Sequence, residues 1–253
     1  MLGRWGRRVR GRPTSANGAS SFHLWWRLDQ PEPLVGAAAT LEILEPPGVS
    51  RLYFWALQVG FHDGRRDRGA GHLGLQWLPD QAGVGRAAVN WGGYRAGPEG
   101  GGELEGSESD LPDIAANPNT RGYPWQPGRP YRLAVTRAPG VDAWRASVTD
   151  EATGEETVVR DLHVPARWIT APVVWSEVFA CCDDPRVVVR WSRLRACTEE
   201  GTVVAPTSLT VTYQGQAEGG CANTTVEVDE VGARQVTTAD RTVRHGEVVA
   251  VPG

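Results

Sequence analysis

The residue best placed to do acid–base chemistry is Glu177, in Trp175-Ser-Glu-Val-Phe179. A strand here puts Glu177 between Trp175 and Phe179 on one face, because side chains alternate with a period of two. A carboxyl group between two aromatic rings is partly stripped of water, which raises its pKa and suits it to proton donation. Glycoside hydrolysis asks for a second carboxylate about 5–10 Å away, and Glu42, Asp63, Glu103 and Glu105 are the candidates. The competing expectation is an ion pair from Glu177 to Arg190 or Arg193 across a hairpin.

A second constellation comes from strand parity. Gln58, His72, Gln76 and Asn90 fall at positions that share one sheet face if consecutive strands pair in sequence order. Side chains that both donate and accept hydrogen bonds suit a neutral polyol, and Trp77, Trp91, Trp125 and Trp175 supply stacking surfaces near them. The alternative is ordinary wet surface, or amides that bond one another. Asp110, Asp113, Asn117 and Asn119 form a loop dense in oxygen ligands that could hold calcium, although the spacing is not that of an EF-hand and Asx-Pro turns explain it equally well. No other cofactor is indicated. The five histidines form no close metal pair, and there is no Gly-x-Ser-x-Gly, P-loop or dinucleotide fingerprint.

These side chains need strands to hold them. Tyr131–Arg137 and Trp144–Asp150 alternate apolar with polar residues, and Ala138-Pro-Gly140 and Glu151-Ala-Thr-Gly154 supply turn chemistry. Phe22–Leu28, Ala39–Glu45, His72–Leu78 and Arg86–Trp91 read as further strands, and Leu52–Phe61, apolar on both faces, reads as a central one. Gly92–Gly106 and the segment through Thr120 read as one long connection, and such connections are functional or disordered. Helical periodicity is absent. The fold class expected is all-β: an antiparallel sandwich over 21–197, with a disordered basic arm at 1–20 and a small β appendage at 198–253.

The formal charge is −4 over 253 residues, which argues against nucleic acid as partner, and every basic side chain other than histidine is arginine. No apolar run reaches the roughly 20 residues of a membrane span. Eleven tryptophans against four phenylalanines suit either a filled core or a stacking surface. Cys181, Cys182, Cys197 and Cys221 form an even set without C-x-x-C spacing, which favours disulfides and an oxidising compartment over zinc. If 173–180 and 187–194 form a hairpin, Cys197 lies about 26 Å from its turn, too far for a bond to Cys181 or Cys182. The expected pairing is Cys197–Cys221, with Cys181 and Cys182 either joined to each other or free. Asn223-Thr-Thr225 matches a glycosylation acceptor.

Trp125-Gln-Pro-Gly-Arg-Pro-Tyr-Arg-Leu-Ala-Val-Thr-Arg137, followed by the strand from Trp144, resembles bacterial secreted sandwiches of the concanavalin A-like, laminin-G-like group. His72-Leu-Gly-Leu-Gln76 followed by Val89-Asn-Trp91 resembles an uncharacterised family within that type, and Gly220–Thr225 with Arg241 resembles its C-terminal extensions. The resemblance spans about residues 21–196 and implies a jelly-roll-like sandwich in an exported protein, with no catalytic residue carried over. The function expected is non-catalytic carbohydrate binding at the cell surface or outside it. A glycoside hydrolase or lyase with Glu177 as acid, and a structural surface module, are the alternatives.

Overall fold

The computed structural model describes residues 18–29, 33–97, 101–140 and 142–252. Most of the expected basic arm lies outside the described residues. In chain order the strands are β1 (Ser20–Arg27), β2 (Leu34–Glu45), β3 (Tyr53–His62), β4 (Asp67–Leu78), β5 (Arg86–Arg95), β6 (Thr120–Gly122), β7 (Pro130–Arg137) and β8 (Ala143–Asp150). They continue as β9 (Glu155–His163), β10 (Trp168–Val178), β11 (Val188–Thr198), β12 (Val203–Val204), β13 (Ser208–Tyr213), β14 (Thr224–Val228), β15 (Ala233–Thr237) and β16 (Val248–Ala250). One 3₁₀ turn, Gln216–Glu218, interrupts them, so the all-β expectation holds among the described residues.

All pairings between named strands are antiparallel and fall into two layers. A front sheet runs β16-β13-β1-β10-β3-β4-β5-β6, and a back sheet runs β14-β15-β11-β2-β7-β8-β9 with β12 beside the end of β11. The layers meet where Ile169 of β10 pairs with Leu34 of β2. β10 can make that reach because its register with β3 breaks between Thr170 and Val173, where Ala171 takes a left-handed φ of 45°.

Hydrophobic alternation decides which side of each strand faces the other layer. Phe22 and Leu24 of β1, Trp55, Leu57 and Phe61 of β3, and Leu73 and Leu75 of β4 point inward from the front sheet. Leu41, Ile43, Leu133, Val135, Trp144 and Val148 meet them from the back. Phe61 and Trp144 touch across the gap at 5.7 Å between ring centres, and Trp91 Nε1 donates to the Trp144 carbonyl. Gln235, 1% exposed, ties the layers with polar bonds. Its Oε1 accepts from Ser176 of the front sheet and Trp191 of the back, and its Nε2 donates to the Phe22 carbonyl.

Several expectations are corrected. The segments 173–180 and 187–194 do not form a hairpin: β10 pairs with β1 and β3 in front, while β11 pairs with β2 and β15 behind. Their connection is a crossover between layers; Cys197 is indeed not joined to Cys181 or Cys182, but the pairing expected for it with Cys221 is wrong. The disulfide is Cys182–Cys221, with Cys181 and Cys197 free. β5 runs on through Gly92 and Gly93 to Arg95, where a loop was expected. These glycines mark close approach, not a turn: a Cβ on Gly93 would stand 2.1 Å from the Ala70 carbonyl oxygen. Residues beyond 198 do not stand apart, since β13 extends the front sheet beside β1 and β15 extends the back sheet beside β11.

Candidate functional site

The outer face of the front sheet is built from rows of residues in register. One row is Ser21, Glu177, Phe54, Gln76 and Ala88; the next is Thr212, His23, Trp175, Ala56, Gly74, Asn90 and Thr120; the third is Thr210, Trp25, Val173, Gln58, His72 and Gly92. Gln58, His72, Gln76 and Asn90 therefore lie on one face, as strand parity requires. Ala56 and Gly74 are small at the centre of these rows, and the rings at neighbouring positions pack over them, leaving Ala56 0% exposed.

Those rings form a continuous stripe across the strands. Trp25 stacks on His23 at 5.9 Å, His23 meets Trp175 at 6.1 Å, and Trp175 meets Phe54 edge-on at 4.9 Å. His72 closes on Phe54 at 5.6 Å and on Trp175 at 6.1 Å, and Tyr94 lies 6.1 Å beyond it. Edge-on and offset arrangements are the ones the ring quadrupoles favour. Burial in this stripe holds both His23 and His72 well below the ordinary imidazole range, at about 4, so both are uncharged at neutral pH. Of the polar atoms in the stripe, the Trp175 Nε1 is buried with no hydrogen-bond partner among the described residues, whereas His23, His72 and Gln58 are half-buried.

Gln76 and Asn90, about 6% and 4% exposed, behave differently. Asn90 Nδ2 donates to Thr120 Oγ1, which donates to Gln76 Oε1, so these two amides are joined through one hydroxyl. Three of the expected stacking tryptophans are on the wrong side. Trp77, Trp91 and Trp125 do not share the outer face: Trp91 is wholly buried between the layers, Trp125 packs on Trp55 and bonds the Gln76 carbonyl, and Trp77 bonds the Val49 carbonyl. A residue next to an outward-facing one points inward, so nearness in sequence to Gln76 and Asn90 moves Trp77 and Trp91 away from them. Trp175 does share the face, but it is only 6% exposed beneath its neighbours.

Glu177 is half-buried beside Ser21 and Phe54. It does not sit opposite Arg190 or Arg193, which lie on the back sheet and pair with Glu42 and Asp229, and with Glu151. None of the four proposed partner carboxylates occupies a neighbouring position either. Glu42 is on the back sheet, Asp63 binds Arg68 in the loop after β3, Glu105 pairs with Arg95, and Glu103 reaches Asn119. The oxygen-rich loop spends its ligands internally: Asp113 pairs with Arg121, Asn117 Oδ1 accepts from the Asn119 backbone, and Asn119 Oδ1 accepts from Arg160. Among the described residues no three His, Cys, Asp or Glu side chains converge on a metal position.

Sequence reasoning missed His23, Trp25, Phe54 and Tyr94 as members of the stripe. The alternation of His23 and Trp25 with Phe22 and Leu24 put them on one outer face, but nothing local reveals that β1 lies against β10, about 150 residues later in the chain.

No protein-family model and no curated protein matches this chain. Among solved structures it is similar to SCP-B, a member of the eqolisin family of peptidases in complex with the tripeptide Ala-Ile-His. The identity is 10%, the overlay covers 90% of this chain and 99% of that one, and the TM-score is 0.43. Scytalido-glutamic peptidase with a peptide-based transition-state analogue gives 10% identity over the same shares, with a TM-score of 0.42. The enzymatically active domain of tailspike protein 2 from bacteriophage CBA120 gives 11% over 77% of this chain and 24% of that one, with a TM-score of 0.32. The expected non-catalytic, carbohydrate-binding role is corrected by the placement of its rings: Trp91 and Trp125 are buried, Trp77 turns inward to the Val49 carbonyl, and Trp175 is only 6% exposed, so the stacking platform it needs is missing from the outer face.

Proposed function

We propose that this chain is a hydrolase acting at the outer face of the front sheet on an extended peptide laid across the ring stripe. Glu177 is its acid–base residue, and Gln58 and His72 meet the amides of the substrate. The stripe itself carries this reading: the Trp175 Nε1 is buried without a hydrogen-bond partner among the described residues, and the half-buried His23, His72 and Gln58 stand around it on the same face. An unsatisfied polar group in desolvated surroundings costs about 1–3 kcal/mol, a cost that a ligand with amide donors and acceptors removes.

Charge narrows the substrate. The three rows hold one ionisable acid, Glu177, and no arginine, which suits a neutral backbone better than a phosphate or carboxylate. The lack of a second carboxylate in a neighbouring register position takes away the arrangement that glycoside hydrolysis uses. A half-buried carboxylate can take a proton from water and return it to a leaving amide nitrogen, with uncharged imidazole and amide groups bonding the carbonyl oxygen. The reading stands on this face alone, since the overlay with the peptidases is too loose to transfer a residue. It places the chain outside the cytoplasm, which the Cys182–Cys221 disulfide supports.

Incubating the protein with a proteome-derived peptide library from pH 2 to pH 8 and reading new termini by mass spectrometry tests it. Cleavage at a recurring sequence is expected; no new termini at any pH would defeat the reading.

A further inference from the structure

The outer face of the back sheet carries a cavity unconnected with the stripe. Its floor is Gly36 and Ala38 of β2 with Ala134 of β7, and Cys197, Arg195 and Val203 stand on one side and Arg132 and Thr136 on the other. The register explains the shape. Cys197, Gly36 and Thr136 form one row, Arg195, Ala38 and Ala134 the next, and Thr40 and Arg132 the third. Small side chains at the centre of three strands leave a space of about 130 Å³ between two long arginines on opposite sides. A cavity of about 150 Å³ is enough for a benzene-sized molecule.

Charge gives the cavity its meaning. The other arginines of this face are compensated: Arg190 by Glu42 and Asp229, Arg234 by Glu227 and Asp229, Arg193 by Glu151, and Arg145 by Asp161. Arg132 and Arg195 have no carboxylate within 4.0 Å and no hydrogen-bond acceptor among the described residues. They are the two that line the cavity. Two uncompensated guanidinium groups over an apolar floor present fork-shaped donors to an anion and a dry surface to its carbon skeleton.

We propose that this cavity binds a small organic anion, a carboxylate head on a short apolar body, held between Arg132 and Arg195 with its body over Gly36, Ala38 and Ala134. The site is separate from the proposed hydrolytic face, so either reading can fail alone.

Cys197 lines the cavity as a free thiol and reports on it directly, with Cys181 as an internal control. Cys181 sits in the Asp183-Asp184 turn, where its backbone N–H bonds Asp184. Intact protein is alkylated with iodoacetate, a carboxylate of the proposed class, and in parallel with neutral iodoacetamide; peptide mass spectrometry then gives the rate at each cysteine. The iodoacetate-to-iodoacetamide rate ratio is expected to be at least about threefold higher at Cys197 than at Cys181. The preference should vanish in an Arg132→Gln/Arg195→Gln variant, both of whose substituted side chains are exposed, with circular dichroism used to check that the variant is folded. Equal ratios at the two cysteines, a preference that survives in the variant, or a Cys197 inert to both reagents would each overturn the proposal.

Discussion

At the scale of single residues, the outer face depends on keeping His23 and His72 uncharged. Both are held at about 4 by burial among rings, below the ordinary value near 6.5, so the unfolded chain binds more protons than the folded one between those two values. Stability should therefore fall as pH drops from about 6.5 to about 4. A His23→Phe/His72→Phe variant should show a flatter profile, because phenylalanine keeps the ring contacts and removes the titration. Urea midpoints at pH 7, 5.5 and 4 check this; identical slopes in the two proteins would contradict it. Parity made part of this face legible, since Gln58, His72, Gln76 and Asn90 need only alternation and neighbouring strands to align. The same alternation defeated the choice of Trp77 and Trp91, each adjacent to a residue pointing the other way.

At the scale of elements, β10 and β11 hold the main lesson. Two apolar segments joined by Cys-Cys-Asp-Asp-Pro-Arg look like a hairpin from local chemistry, and no local signal separates a hairpin turn from a crossover between layers. Because they part, Cys182 comes within 5.5 Å of Cys221 between Cα atoms, and Cys197 is carried to the far end of β11. A Cys221→Ser variant should lose about 2–4 kcal/mol, the usual effect of opening such a loop, whereas Cys197→Ser should change stability little. Denaturant unfolding of both variants decides; equal losses, or a non-reduced digest joining Cys197 to Cys221, would contradict the pairing. The hairpins β7–β8 and β8–β9 were legible because both partners and the turn lie within about thirty residues, and the register follows the hydrophobic pattern.

At the scale of the whole molecule, the two layers depend on residues beyond 198. Gln235 of β15 bonds to Ser176, Trp191 and the Phe22 carbonyl, and β13 covers the outer edge of β1. Gln235→Leu should cost about 2–4 kcal/mol, because it strands the Trp191 N–H and the Ser176 hydroxyl in the core. A chain ending at Thr198 should fail to give the cooperative unfolding of the full protein, as it exposes β1 and the free edge of β11. Thermal unfolding followed by near-ultraviolet circular dichroism measures both; a truncated chain with native-like tertiary signal would show that the sandwich folds without its C-terminal strands. The change of texture after Gly201 looks like a separate piece in sequence because those strands are short and poor in aromatics. Their partners, β1 and β11, lie elsewhere in the chain.

The most direct test of the proposed hydrolytic face is to compare wild type with a Glu177→Gln variant on a single peptide cleaved by the wild type. Cleavage should fall at least a thousandfold while the melting temperature and the His23 and His72 titrations stay as they are. Undiminished cleavage by the variant would remove Glu177 from the chemistry, and with it the assignment of this face.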